Sequence, residues 1–318
     1  MNKRYGNIHQ AGIVIDAHCD TLQRLLRERY KLGEKNDCGQ VDIPRALASG
    51  VTAIFFAACG DERNALKIVD AYYREIDANS DRLMLAACVA DIYEAKEKGK
   101  LAGILSMEGC PLTEGELAIL RIFYRLGVRA VGLVHKNKNK IAESVTDMPN
   151  GTGLTDFGVE VVNEMNRLGM ICDVAHISPA GFYHVLEITG KPVISSHGNA
   201  GAICGHIRNL DDAQLKAMAQ NGGVVGVSVV PRFVNNEGAK ASFRQFIDHI
   251  EHIVKVSGID HVGLGTDFDG FGGKPIKGLE DISCVPKIAE ALIERGFSEN
   301  DAKKVLGENY LRVIGEVW

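Results

Sequence analysis

The sequence predicts an α/β protein, a (β/α)8 TIM-type barrel with its active site at the C-terminal ends of the strands. Three observations lead there. Short apolar runs alternate eight times with helical stretches along 318 residues, about 40 residues per unit, which suits a chain of βα repeats. The runs are apolar almost without interruption, as strands covered on both faces are, so the sheet should be parallel. No Pro/Ser-rich tract, charge block or low-complexity segment interrupts the series, and residues 1–318 read as one domain. A doubly wound open sheet fits the same alternation, because counting strands does not show closure.

The expected strands are Ile13–Asp20, Val51–Cys59, Gly103–Gly109, Ala130–His135, Met170–His176, Pro192–His197, Val224–Val230 and His261–Phe268. Amphipathic stretches lie between them. Phe157–Leu168 puts Val161, Val162, Met165 and Leu168 on one face, with Gly169 placed to cap the C-terminus. Ser178–Ile188 opens on Ser-Pro, an N-cap followed by a first-turn proline. Asp211–Ala219 opens on two acids and ends at Gly222 and Gly223, and Phe243–Val256 ends at Gly258. Three stretches leave this rhythm, Lys31–Pro44, Lys136–Gly153 and Arg232–Ala241. They follow strand ends or the first helix, where they can wall an active site.

Composition narrows the function. Lys plus Arg number 36 and Asp plus Glu 41, a net charge of −5. No broad positive field is available for nucleic acid or anionic lipid, and 6% aromatic residues make a poor base-stacking platform. A small-molecule substrate is expected. No segment reaches the roughly 18 apolar residues of a membrane span, and no signal-like apolar run precedes Asp16. Eight cysteines (Cys19, Cys38, Cys59, Cys88, Cys110, Cys172, Cys204 and Cys284) are scattered, form no CxxC pair and mostly sit in apolar runs. They read as reduced thiols in a cytoplasmic protein.

Histidines and acids gather where the strands should end. His18 and Asp20 close the first run, Glu108 the third, His135 the fourth, His176 the fifth, His197 the sixth and Asp267 the eighth. In a barrel all these ends share one mouth. Any one of them alone fits a hydrogen-bonded loop residue; together they describe a metal site. In a strand, positions i and i+2 face the same way, so His18 and Asp20 can grip one ion while Cys19 points away. Three imidazoles and two carboxylates suit zinc, and also manganese, cobalt or iron. Five ligands exceed the three that a catalytic zinc usually takes from protein, and they fit two metals sharing a carboxylate.

Several segments carry a family resemblance. IDAHCDT at 15–21, SMEG at 106–109, GVRAVGLVHKNKN at 127–139, GLTDFGVEVVNEMNRLGMICDVAHIS at 153–178, PVISSHGNA at 192–200, HIRNLDDAQLKAMAQNGGVVGV at 206–227 and HVGLGTDFDG at 261–270 follow one another in order. In these the chain resembles the membrane (renal) dipeptidase family, zinc peptidases of the metal-dependent amidohydrolase group. The resemblance implies two divalent ions, zinc first, that activate a bridging hydroxide. His18 and Asp20 would bind one ion, His176 and His197 the other, with Glu108 between. It implies that Asp267 shuttles a proton, His135 polarises the scissile carbonyl, and Arg208 grips the substrate's terminal carboxylate. Free dipeptides, L-Xaa–Xaa with a D-residue tolerated at the C-terminal position, would be the substrate, and the oligomer a homodimer. Without the resemblance, Arg208 fits equally a contact with Asp211 or Asp212, and Asp269 competes with Asp267.

The segment HKNKNKIAES after the fourth run departs from the family pattern, with Glu143 in place of an Asp, which touches the pocket wall and not the ligands. VPRFVNNEG after the seventh run replaces a more aromatic loop. Relatives that are lipid-anchored carry a C-terminal hydrophobic signal, and none is expected before Trp318. Two other functions fit the same residues: a metal-dependent hydrolase of another amide, lactam or ester, and a non-catalytic metal-binding barrel. The complete set of acid, base and ligand residues argues against the latter.

Overall fold

The structure is a computed structural model that describes residues 8–27, 30–109, 115–147 and 151–318. Cys110 and residues 148–150 of the 136–153 excursion lie outside the described residues. The strands are β1 (Ile15–Cys19), β2 (Ala53–Cys59), β3 (Leu83–Leu85), β4 (Leu101–Glu108), β5 (Val128–Gly132), β6 (Ile171–Asp173), β7 (Ile194–Gly198), β8 (Val224–Val227) and β9 (Val262–Leu264). All pair in parallel. The ladder runs from β2 through β1, β9, β8, β7, β6 and β5 to β4, and β4 pairs back onto β2, so eight strands close a barrel. Closure settles the choice against the open sheet.

β3 is the strand that periodicity does not reveal. It is three residues long and pairs with β4 only at Leu101–Gly103, while β5 takes the same edge of β4 from Leu105 onward. It lies beside the barrel wall and needs no continuous apolar run, since only Leu83 is buried.

Alternation sorts each strand into two faces. Ala53 and Phe55 of β2, Ala102 and Ile104 of β4, and Ile171, Ile194 and Val224 belong to one buried cluster, joined by Tyr310, Val313, Ile314 and Val317 of the C-terminal helix. Ile54, Phe56 and Ala58, with Leu101, Leu105 and Met107, belong to a larger cluster that includes the helices. The interior is a packed plug, and chemistry is confined to the strand ends above it.

The helices start and stop on the expected residues. Thr155 accepts from Gly158 N and Ser178 from Gly181 N, while Gly169 and Gly222 end their helices at φ 73° and 80°. Of the seven described cysteines, all are free; Cys38 and Cys88 are exposed and Cys59 half-buried, whereas the other four are buried. Among the described residues no helix is long and apolar enough to cross a membrane.

Candidate active site

His18 and Glu108 lie within strands and His197 near the end of β7, but the ladders of β5, β6 and β9 stop before His135, His176 and Asp267. The turn away from the sheet has a backbone cause. His176 and Asp267 adopt φ 68° and 63°, a left-handed conformation that side chains with a Cβ seldom take. With Asp269 at φ 65°, they are the only non-glycine residues of this kind among those described. Such strain persists where surrounding contacts over-determine it, and here it swings two site residues over the mouth.

The geometry centres on Glu108. Its Oε1 lies 3.0 Å from His176 Nε2, 3.6 Å from His197 Nε2, 3.6 Å from His135 Nε2 and 3.7 Å from His18 Nε2. His18 Nε2 is 3.6 Å from Asp20 Oδ2, and the His176 and His197 Nε2 atoms are 2.9 Å apart. All six side chains except His135 are almost wholly buried. His18 Nε2 and His176 Nδ1 are buried without a hydrogen-bond partner. The structure thus brings together six of the seven residues singled out from sequence at the strand ends; the seventh, Asp267, meets Asp20 over the bare Cα of Gly270, and Arg208 stands at their edge.

The neighbours hold the ring orientations. Ser196 Oγ lies 2.9 Å from His197 Nδ1 and 3.5 Å from His18 Nδ1, which turns both Nε2 atoms inward. Asp16 accepts from Thr266 N and Oγ1 at 2.8 and 2.6 Å and from His18 N at 3.4 Å, tying β1 to the segment that carries Asp267. Asp173 Oδ1 accepts from Ala175 N and Ser196 N, and a carboxylate oxygen of Asp173 lies within 4.8 Å of ring nitrogens of His18 and His197. Sequence reasoning missed Asp16 and Asp173. Both are acids inside apolar strands, which was the available signal.

The charges are under tension. Burial and nearby Asp20 push Glu108 up to about 8. Burial pushes Asp267 up to about 7 against the pull of His18. For His18, burial is outweighed by contacts with Asp20 and Glu108, and it rises to about 10. Burial and the positive charge of Lys136 lower His135 to about 4, so its ring is neutral at pH 7. Burial likewise drives His176 and His197 well down.

Arg208 is buried beside this cluster. Its Nη2 donates to His197 O at 3.1 Å, its Nε is buried without a partner, and its guanidinium carbon stands 5.6 Å from the centre of the Phe233 ring. Burial lowers it to about 10, which leaves it charged at neutral pH. Neither acid considered from sequence is its partner: Asp211 caps the helix Asp212–Asn221 and Asp212 pairs with His252 at 2.7 Å. Asp269 is likewise excluded from the cluster. Its carboxylate accepts from Thr21 Oγ1, from Arg24 Nε at 2.8 Å and from Gln40 N at 3.0 Å, which fastens the 31–44 excursion to the barrel. A cavity of about 380 Å³ opens from His176 and Arg208 and is walled by Val145, Ile177, Phe182 and Leu210. Of the three excursions expected to wall the site, 136–153 reaches this cavity through Val145, while the Arg208-bearing loop, which was not among them, supplies much of the wall.

A parallel eight-stranded barrel with imidazoles and carboxylates converging at its mouth defines a metal-dependent hydrolase of the amidohydrolase kind. Residues 2–318 match the sequence profile of membrane dipeptidase, peptidase family M19, and the chain belongs to that family of metal-dependent dipeptidases. Dipeptidase tcpJ of Claviceps purpurea is 34% identical over 98% of this chain and 81% of its own length. An uncharacterized dipeptidase of Schizosaccharomyces pombe is 38% identical over 98% and 82%. A Rhodobacter sphaeroides metallopeptidase, solved with a phosphinate mimic of the dipeptide L-Ala-D-Ala, superposes with a TM-score of 0.90 at 27% identity, covering 96% of this chain and all of that one.

Proposed function

We propose that this chain, as one barrel domain, hydrolyses the peptide bond of free dipeptides with two divalent ions, zinc first. His18 and Asp20 would hold one ion and His176 and His197 the other, with Glu108 a ligand for both. The observation that carries this reading is the ring of four Nε2 atoms within 3.7 Å of one Glu108 oxygen. Two nitrogens each about 2.0–2.1 Å from one tetrahedral ion stand about 3.3 Å apart, which is the spacing scale found here. The unpartnered His18 Nε2 supports it, since a buried imidazole nitrogen left without a partner is costly.

Ions held there would supply Lewis acidity, lowering the pKa of a bound water toward 7 and polarising an amide carbonyl. The remaining residues supply proton transfer, charge stabilisation and recognition. Asp267, poised near neutrality by burial, takes the attacking water's proton and passes it to the leaving amine. His135, a neutral donor, points Nε2 at the cluster, where an oxyanion develops. The free Nε of Arg208, with its Nη atoms, offers the planar fork that a terminal carboxylate fits. The cavity beside it, apolar on most sides, takes the substrate's side chain. A D-residue at the C-terminal position is included because the Rhodobacter relative was solved with an L-Ala-D-Ala mimic. The seven free thiols among the described residues support a cytoplasmic setting.

The test is a panel of L-Ala–L-Xaa and L-Ala–D-Xaa dipeptides beside N-blocked and C-amidated versions. Cleavage confined to the free dipeptides is expected. Equal cleavage of the amidated set would move the assignment to a general amidohydrolase.

A further inference from the structure

Cys59 ends β2, a strand that carries none of the eight candidate site residues. In the ladder it is paired with Glu108 of β4, and parallel partners present their side chains to the same side of the sheet. It is also in phase with Ala53 and Phe55, which belong to the same buried cluster as Ala102 and Ile104 of β4. Backbone register alone therefore delivers a thiol to the mouth. Its Sγ lies 3.4 Å from His135 Nδ1, the one hydrogen-bond partner of that nitrogen among the described residues.

The end of β2 is held firmly enough to aim this thiol. Asn64 Nδ2 donates to Cys59 O at 2.7 Å, while Asn64 N donates to Asp61 Oδ1 at 2.8 Å in the cap of the next helix. On the far side, Gly109 at φ 75° packs against the His135 Cβ, where a side chain would collide. The imidazole is fixed between these two contacts.

A neutral imidazole donates from one ring nitrogen only, and the partner of the other nitrogen decides which. We infer that Cys59 is a positioning residue that sets the tautomer of His135: its S–H donates to Nδ1 and keeps the ring proton on Nε2, the nitrogen facing Glu108. The inference rests on the reading of His135 as an oxyanion donor. A histidine with its proton on Nδ1 would present a lone pair to the developing negative charge and oppose it. The Glu108 carboxylate also lies near the thiol and competes for its proton. A carboxylate committed to bridging two cations is a weak acceptor, so Nδ1 takes the bond.

The experiment compares Cys59→Ala, Cys59→Ser, His135→Ala and the double variant Cys59→Ala/His135→Ala, each loaded with zinc and assayed for kcat and KM on a free dipeptide, with bound metal counted. Cys59→Ala should lower kcat roughly 10- to 100-fold with KM and metal content unchanged. Cys59→Ser, whose hydroxyl also donates, should recover most of it. In the His135→Ala background, removing Cys59 should cost nothing further. Undiminished kcat in Cys59→Ala while His135→Ala is impaired would overturn the inference alone, and so would an equal loss in both backgrounds. Full kcat in His135→Ala would overturn the reading of His135 beneath it.

Discussion

Glu108 Oε1 lies 3.0 Å from His176 Nε2, although β5 stands between the strands that carry them. The barrel's curvature brings the two ends together, and the left-handed turn at His176 completes the approach. The proposed function depends on that convergence: its proposed ligands come from β1 and the residue after it, β4 and the ends of β6 and β7, while its proposed proton carrier comes from beyond β9.

Arg208 should act on the substrate's carboxylate and on little else. Arg208→Ala is expected to lower kcat/KM for free dipeptides by about 10- to 100-fold, the worth of a hydrogen bond to a charged group of about 1.5–3 kcal/mol. The loss should fall on KM, and the variant should lose the preference for a free dipeptide over its C-amidated form. A fall in kcat with that preference intact would remove Arg208 from carboxylate recognition.

Gly270 is needed for lack of a side chain. A Cβ there would overlap both Asp267 Oδ1 and Asp20 Oδ2, so these carboxylates close over its bare Cα. Gly270→Ala should reduce kcat by roughly 10²-fold, the cost of displacing a reacting group by about 1 Å, with the thermal midpoint little changed. Kinetics and a melting curve on the same preparation check it; an active Gly270→Ala enzyme would show that Asp20 and Asp267 are not held as described.

His249 links acid stability to the wall of the site. It is fully buried, accepts from Ala200 N through Nδ1 at 3.1 Å and donates to Val234 O through Nε2. Burial lowers its pKa from 6.5 to about 4. The unfolded chain therefore takes up this proton first as pH falls. The contribution of neutral His249 is complete above pH 6.5 and is lost progressively toward pH 4, by at most about 3 kcal/mol. Denaturant unfolding should show a smaller drop over that interval in His249→Gln than in the parent. Parallel curves would mean that the group does not titrate there.

The sequence shows much of this because barrel and site share a code. Apolar runs ending in His or acid report both a strand and its mouth, so His18, Glu108 and His197 could be found without coordinates. Other parts lack such a mark. β3 is too short and too half-covered to have a period. Cys59 looks like one more apolar residue of its run until the register with Glu108 is known. Phe233 beneath Arg208, and Asp269 tied to Gln40, are meetings of distant loops that no local spacing encodes. The left-handed turns at His176 and Asp267 are likewise imposed by tertiary contacts, and they explain why both residues lie past the strand ends.

The central claim is a pair of cations shared across Glu108, and counting them against activity tests it most directly. The purified protein would be stripped with a chelator, then titrated with zinc while bound metal and hydrolysis of a free L-Ala–L-Xaa dipeptide are followed together. Activity should be absent at zero zinc and reach its plateau at two ions per chain, and Glu108→Gln should fail to retain the pair. Full activity in the stripped protein, or a plateau at one ion, would contradict the account.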